Sequence, residues 1–203
     1  MLQLVQTENT AKPATNRPPR RKPIAGRKHV TPEEFDTWRK AVRHRSSYPD
    51  RDALLITIMF RHGLRISEAV RLTWGDVNLS RAGTVMIRRA KRGRDGTHNL
   101  DGDELRMLRA VQRLRHVSRF IFTTKRDSPM SERTARQILT SAAKAVGLPV
   151  TNPHALRHGT GYRLIRKGTD LRRVQEFMGH RDIKSTTIYT ALDPSAVAGL
   201  ERD

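Results

Sequence analysis

Apolar residues along this chain recur at helical spacings, and capping and breaking residues punctuate them. Thr31-Pro32-Glu33-Glu34 combines a capping hydroxyl, a proline at the first helical position and a glutamate at the third. A helix is predicted to start there, with Phe35 and Trp38 on its inner face, and Tyr48-Pro49-Asp50 breaks it. From about Pro49 to Arg61 the residues are apolar over most of the circumference, as a central core helix requires. Gly63 stops that helix, and a short one is predicted over Ile66–Leu72. The period then shortens. Asp76–Ser80 reads as a turn, Thr84–Arg88 as a strand, Lys91–Gly96 as a basic loop and Thr97–Leu100 as a return strand, giving a hairpin or three-stranded edge sheet. Asp103 is predicted to cap a helix with Leu105, Leu108, Val111 and Leu114 on one face. Phe120-Ile121-Phe122 reads as a buried extended segment. Ser131 caps a helix with Ala135, Ile138, Leu139, Ala142 and Val146 inward and Gly147 as its stop. Asn152-Pro153 opens a helix bearing His154 and Arg157, with Leu156 and residues 162–165 toward the core. Helices over about Asp170–Met178 and Ile183–Thr190 follow, and Pro194 opens a tail. The predicted fold class is mainly α with a small antiparallel β-sheet at its side.

Composition adds a partner. The 203 residues are 36% apolar, enough for one domain of roughly 160–180 residues with a sizeable core. The net charge of +20 repels itself, and a polyanion, nucleic acid foremost, accounts for it better than a membrane surface does. Cysteine is absent, which removes disulfide, thiolate and cysteine-zinc chemistry. No apolar run approaches the ~18 residues of a membrane span, and the amino terminus lacks the apolar core of a signal peptide. A cytoplasmic, nucleoid-associated protein is expected. Residues 1–29 hold too few apolar groups to offset ordering entropy. They read either as a solubilising tail or as a basic arm whose Arg17, Arg20, Arg21, Lys22, Arg27 and Lys28 touch DNA phosphates. The expected division is an arm over 1–29, a catalytic domain over 30–192 and a tail over 193–203.

Residues 154–189 hold His154, Arg157, His158, His180 and Tyr189 among many further cations, a costly concentration unless it meets negative charge. His154 and Arg157 stand three apart in the opening turns of a helix, where free amides and the dipole also favour an anion. Taken alone, such a pair occurs by chance in many basic proteins. Arg65 follows Gly63, and Glu68 stands three residues on, placed to orient a guanidinium that grips two phosphoryl oxygens. An ordinary surface ion pair fits that spacing equally well. Tyr189 would be an amphipathic-helix tyrosine in most contexts; nine residues after His180, amid these cations, it reads as a nucleophile. His158 is assigned to packing or to support of the site, and His98 and His116 to solvent. His29, His44 and His62 lack a metal-site pattern, and Met107 and Met178 are read as core fillers.

These segments together resemble the catalytic domain of the tyrosine recombinase (phage integrase) family. GLRISEAVRLTWGDV (63–77) is similar to its first arginine box, HALRH (154–158) followed by GYRL to its second, Gly179-His180 to its last histidine and IYT (188–190) to its nucleophile. Lys91 matches the place of the family's hairpin lysine, and the likeness spans nearly all of 31–192. The resemblance implies site-specific DNA cleavage and rejoining, by inversion, integration or excision, through a 3′-phosphotyrosyl intermediate. Tyr189 would attack, Arg65 and Arg157 grip nonbridging oxygens, and His180 add a hydrogen bond. His154 would assist proton transfer or organise the pocket, Lys91 protonate the leaving 5′ oxygen, and Glu68 and His158 support them. Arg92 and Arg94 of the hairpin would touch DNA. No metal or other cofactor is implied. Partners would be double-stranded DNA, further protomers in a tetramer on paired sites (a monomer without DNA), and a DNA-bending helper protein.

The 30 residues ahead of Thr31 are too few and too polar for the clamp domain of most relatives, so this chain resembles the short invertases that switch fimbrial genes. Two further readings stay open at this point: a catalytically silent DNA-binding accessory protein of the same fold, and DNA relaxation of the topoisomerase IB kind.

Overall fold

A computed structural model describes residues 27–90, 93–114 and 118–180. The first helix, α1 (Pro32–Arg45), starts as its sequence dictates: Thr31 accepts from the Glu34 amide, and Glu34 accepts from the Thr31 amide at 3.1 Å. Its inner face buries Phe35 and Trp38, and the Trp38 indole donates to the Leu139 carbonyl at 2.8 Å. Helix α2 (Pro49–His62) is buried from Arg51 to Phe60 and packs most extensively against three long helices, which makes it the axis of the domain. Those neighbours are α1, α4 (Gly102–Leu114) and α6 (His154–Arg166). The one-turn α3 (Ile66–Ala69), α5 (Glu132–Ala145) and α7 (Leu171–Met178) complete the described helices.

Strands β1 (Val77–Asn78), β2 (Thr84–Ile87) and β3 (Gly96–Asn99) form an antiparallel sheet in the order β1-β2-β3, with Val77 opposite Val85 and Met86 opposite Thr97. Val85 and Ile87 face the core, and Met86 faces out. One large core cluster joins α1 through α6 with the sheet; a smaller one of Ile165, Val174 and Met178 seats α7. The extended Ile121-Phe122 segment is buried, and Ile121 donates to the Leu72 carbonyl at 3.0 Å.

Several sequence expectations change here. Asp76–Ser80 holds a strand, β1, after a single 3-10 turn over Trp74–Asp76. The Asp103 cap moves to Asp101, whose carbonyl accepts from Leu105; Asp103 lies inside α4 and pairs with Arg61 at 3.3 Å. Leu114 and Val146 sit at helix ends beyond the reach of the core and are exposed, and α3 stops at Ala69. Residues 27–29, assigned to the arm, pack on the domain instead. Arg27 pairs with Glu34, and His29 is buried with its ring stacked on Tyr162 at 4.0 Å. The predicted helix over 183–190 and the tail lie outside the described residues.

Candidate active site

Four distant segments meet at the turn between α2 and α3: the turn itself, the β2–β3 arm, the first half of α6 and the end of α7. Gly63 makes the turn, with φ +63°, and a Cβ there would also lie 2.5 Å from the Met178 sulfur. The chain leaves this turn at Arg65. Its amide donates to Glu68 Oε2 at 3.0 Å and its Nη1 to Glu68 Oε1 at 2.6 Å. The Arg65 side chain keeps 26% exposure while that of Glu68 keeps 1%, so a buried carboxylate orients an outward-reaching guanidinium.

Glu68 holds more than Arg65. Its Oε1 accepts from the Ala90 amide at 3.1 Å, and its Oε2 accepts from Arg89 Nη1 at 3.0 Å, with Arg157 Nη1 at 3.8 Å. Burial works to raise this carboxyl. The Arg65 amide, the Arg89 and Arg157 charges and the Arg65 guanidinium outweigh it, so the group stays ionised below its usual range.

Arg157 comes from α6, whose close approach to α2 and to the strap of residues 27–30 before α1 depends on Gly159: a Cβ there would meet the Phe60 ring at 2.9 Å and the Val30 carbonyl at 2.6 Å. The Arg157 guanidinium is buried, donating to the Gly63 carbonyl and, at 2.7 Å, to the Met178 carbonyl. His154, on the same helix, is open to solvent in the field of Arg157, Arg65 and Arg136, and its ring meets His158 edge-on at 4.7 Å. Helix α7 ends at Gly179, φ +63°, which turns the chain to deliver His180. The His180 amide donates to the Gln175 carbonyl at 3.0 Å. Burial first, then the charges of Arg157, Arg65 and Arg89, pushes the His180 imidazole down to about 3, so at neutral pH it offers a neutral N–H. Burial and the neighbouring His154 and Arg157 bring His158 to about 4.

Arg65, Glu68, Arg157 and His180 are thus brought together, with His154 and His158 beside them. Tyr189, Lys91, Arg92, His116, Arg17, Arg20, Arg21 and Lys22 lie outside the described residues. Arg94 and Lys28 are exposed. Arg27, expected on DNA, is instead held by Glu34 in the domain. His98, expected in solvent, is buried. It faces His62 at 3.3 Å, His62 pairs with Glu104 at 2.9 Å, and Phe177 stacks on His98 at 4.0 Å. The strand parity explains this, because residue 98 stands opposite the inward Val85. Arg89 was missed altogether. It continues the inward parity of Val85 and Ile87, and its side chain is 1% exposed.

A family model described as the phage integrase family matches residues 28–196. The chain belongs to the phage integrase family. Type 1 fimbriae regulatory protein FimE of Escherichia coli (strain K12) is 35% identical over 184 residues, covering 87% of this chain and 92% of FimE. FimB of the same strain is 31% identical, covering 86% of this chain and 89% of FimB. Among solved structures, XerH recombinase bound to its difH substrate superposes with a TM-score of 0.73 at 23% identity, over 86% of this chain and 53% of XerH. The fold is therefore that of a tyrosine-recombinase catalytic domain, mainly helical with a small antiparallel sheet. As a phage integrase family member the protein is a tyrosine recombinase, an enzyme of site-specific DNA recombination.

Proposed function

We propose that this recombinase grips one scissile phosphate of duplex DNA with Arg65, Arg157 and His180 and attacks it with Tyr189. The observation that carries the reading is the convergence of two arginines from separate elements on one buried carboxylate, Glu68, with His180 in the field of both. A phosphate bound there meets positive charge already fixed in place, so little reorganisation accompanies the growth of charge on its nonbridging oxygens. The Tyr189 oxygen forms a bond to phosphorus as the P–O5′ bond breaks, leaving a 3′-phosphotyrosyl link and a 5′ hydroxyl. Lys91 supplies the proton to the departing 5′ oxygen, and His154 serves the proton leaving the phenol. The covalent link keeps the phosphodiester energy, so attack by a 5′ hydroxyl rejoins a strand without ATP.

Arg17, Arg20, Arg21 and Lys22 of the amino-terminal arm, with Lys28, Arg92 and Arg94, supply sequence-independent phosphate contacts. The working assembly is a tetramer on paired sites, with residues 193–203 exchanged between protomers, a monomer away from DNA, and a DNA-bending helper protein alongside. The site of action is the nucleoid. Among the described residues no helix is long and apolar enough to cross a membrane.

The test uses a supercoiled plasmid carrying paired inverted repeats taken from beside the protein's own gene. Wild type should give a recombinant that requires both repeats, and Tyr189→Phe should give none. Relaxation of plasmids without the repeats would replace this reading by a topoisomerase-like one. Tight binding without product in either protein would replace it by an accessory role.

A further inference from the structure

The Arg89 guanidinium is among the most deeply buried cations of the described residues, and the mechanism above does not use it. Taking a guanidinium out of water is costly unless its donors are all met. Arg89 Nη1 donates to Glu68 Oε2 at 3.0 Å and to the Gly63 carbonyl at 3.3 Å. Its Nη2 donates to the His62 carbonyl at 3.3 Å and to the Phe177 carbonyl at 2.6 Å. Its amide donates to Asp95 Oδ1 at 2.7 Å. All three carbonyls belong to helix ends, two at the close of α2 and one in the last turn of α7. Carbonyls there lack intrahelical partners and carry the negative end of the helix dipole, so one flat cation can join two such ends.

Arg157 makes a parallel stitch. It shares the Gly63 carbonyl and takes Met178, the next carbonyl along α7. The joined ends are also the ones that launch Arg65, two residues after Gly63, and His180, three after Phe177. The Arg89 stem lies directly under Gly179, where a Cβ would approach its Cγ to 2.7 Å.

We infer that Arg89 is a positioning residue of the recombinase, fixing Arg65 and His180 in register on a single phosphate. The inference rests on the reading of Arg65 and His180 as phosphate ligands. Lysine keeps the charge beside Glu68 but cannot span three carbonyls at once.

The decisive experiment compares Arg89→Lys and Arg89→Gln with wild type on two nicked duplexes. One has an ordinary scissile phosphate, and the other a methylphosphonate whose nonbridging methyl removes the negative charge that Arg65 and His180 stabilise. Covalent protein–DNA complex is followed with time. Any loss of folded protein lowers both rates by one factor and cancels in their ratio. A small displacement of charge-stabilising groups slows a phosphate reaction on the order of 10–100-fold. That loss is expected for both variants on phosphate, shrinking to roughly threefold or less on methylphosphonate, with Arg65→Ala showing the same pattern. Equal losses on the two substrates, or no loss on either, would overturn the positioning role. Failure of the functional reading is distinguishable: wild type itself would then yield no complex that Tyr189→Phe abolishes.

Discussion

Arg65 can turn its guanidinium outward because Glu68 takes the inner side of it, and that carboxylate is itself pinned by Arg89 and the Ala90 amide. The two residues should therefore fail differently when changed. On the proposed reading Arg65→Ala removes a donor from the phosphate, so it should cut the rate of strand cleavage about 10²–10³-fold, with DNA binding little altered in a shift assay. Unchanged cleavage would remove Arg65 from the site. Glu68→Gln instead strips the counter-charge from the buried Arg89 and Arg157, so it should destabilise the fold by roughly 3–5 kcal/mol in a urea titration. A stability equal to wild type would show that the carbonyls alone carry those cations. The Arg65–Glu68 pair was legible in the sequence because its spacing is local. Arg89 was not, since it stands among Arg88, Lys91, Arg92 and Arg94 and differs only in strand parity. Spacing also places His154 and Arg157 on one helical face, and they do stand side by side, His154 exposed and Arg157 buried against carbonyls at the ends of α2 and α7. Those partners lie far away in sequence, and no local pattern announces them.

Elements were easiest to read where a cap or breaker had a local mechanism. Thr31 with Glu34, Gly63 and Ser131 all act as the sequence predicts. Strand β1 escaped notice because two residues of pairing leave no alternation to read, and α4 begins two residues early because Gly102 and Asp103 both join the helix behind Asp101. The close approach of α6 to the strap before α1 depends on Gly159, whose requirement for a missing side chain is invisible in sequence. Gly159→Ala would press a methyl 2.6 Å from the Val30 carbonyl and 2.9 Å from the Phe60 ring, and backbone cannot step aside as a flexible side chain does. We expect a loss of about 1–3 kcal/mol in chemical denaturation. A neutral or stabilising effect would mean that α6 and the strap are not in contact as described.

Over the whole molecule, charge shapes both partner and stability. The net +20 was read from composition, but the buried His98 and His180 and the half-buried His158 were not read as neutral rings. His98 is lowered to about 3 by burial, then by His62 and Arg89, and His180 and His158 lie at about 3 and about 4. Below the ordinary value near 6.5 the unfolded chain binds protons that the folded chain refuses, so this part of the stability is complete above that pH and is lost on acidification toward 3–4. Glu68 and Glu104, held below their usual values, act in the same direction in more acid solution. Melting temperatures should change little from pH 7.5 to about pH 6.5 and fall from there to pH 4.5. A flat profile would contradict the burial of these rings.

The central claim is that one tyrosine joins this basic pocket to DNA, and covalent capture tests it most directly. Duplexes from beside the protein's own gene, nicked next to candidate phosphates, would be incubated with wild type and Tyr189→Phe and resolved on a denaturing gel. A slow protein–DNA band is expected at one nick position, formed by wild type and absent with Tyr189→Phe. A band that persists in Tyr189→Phe would contradict the central claim.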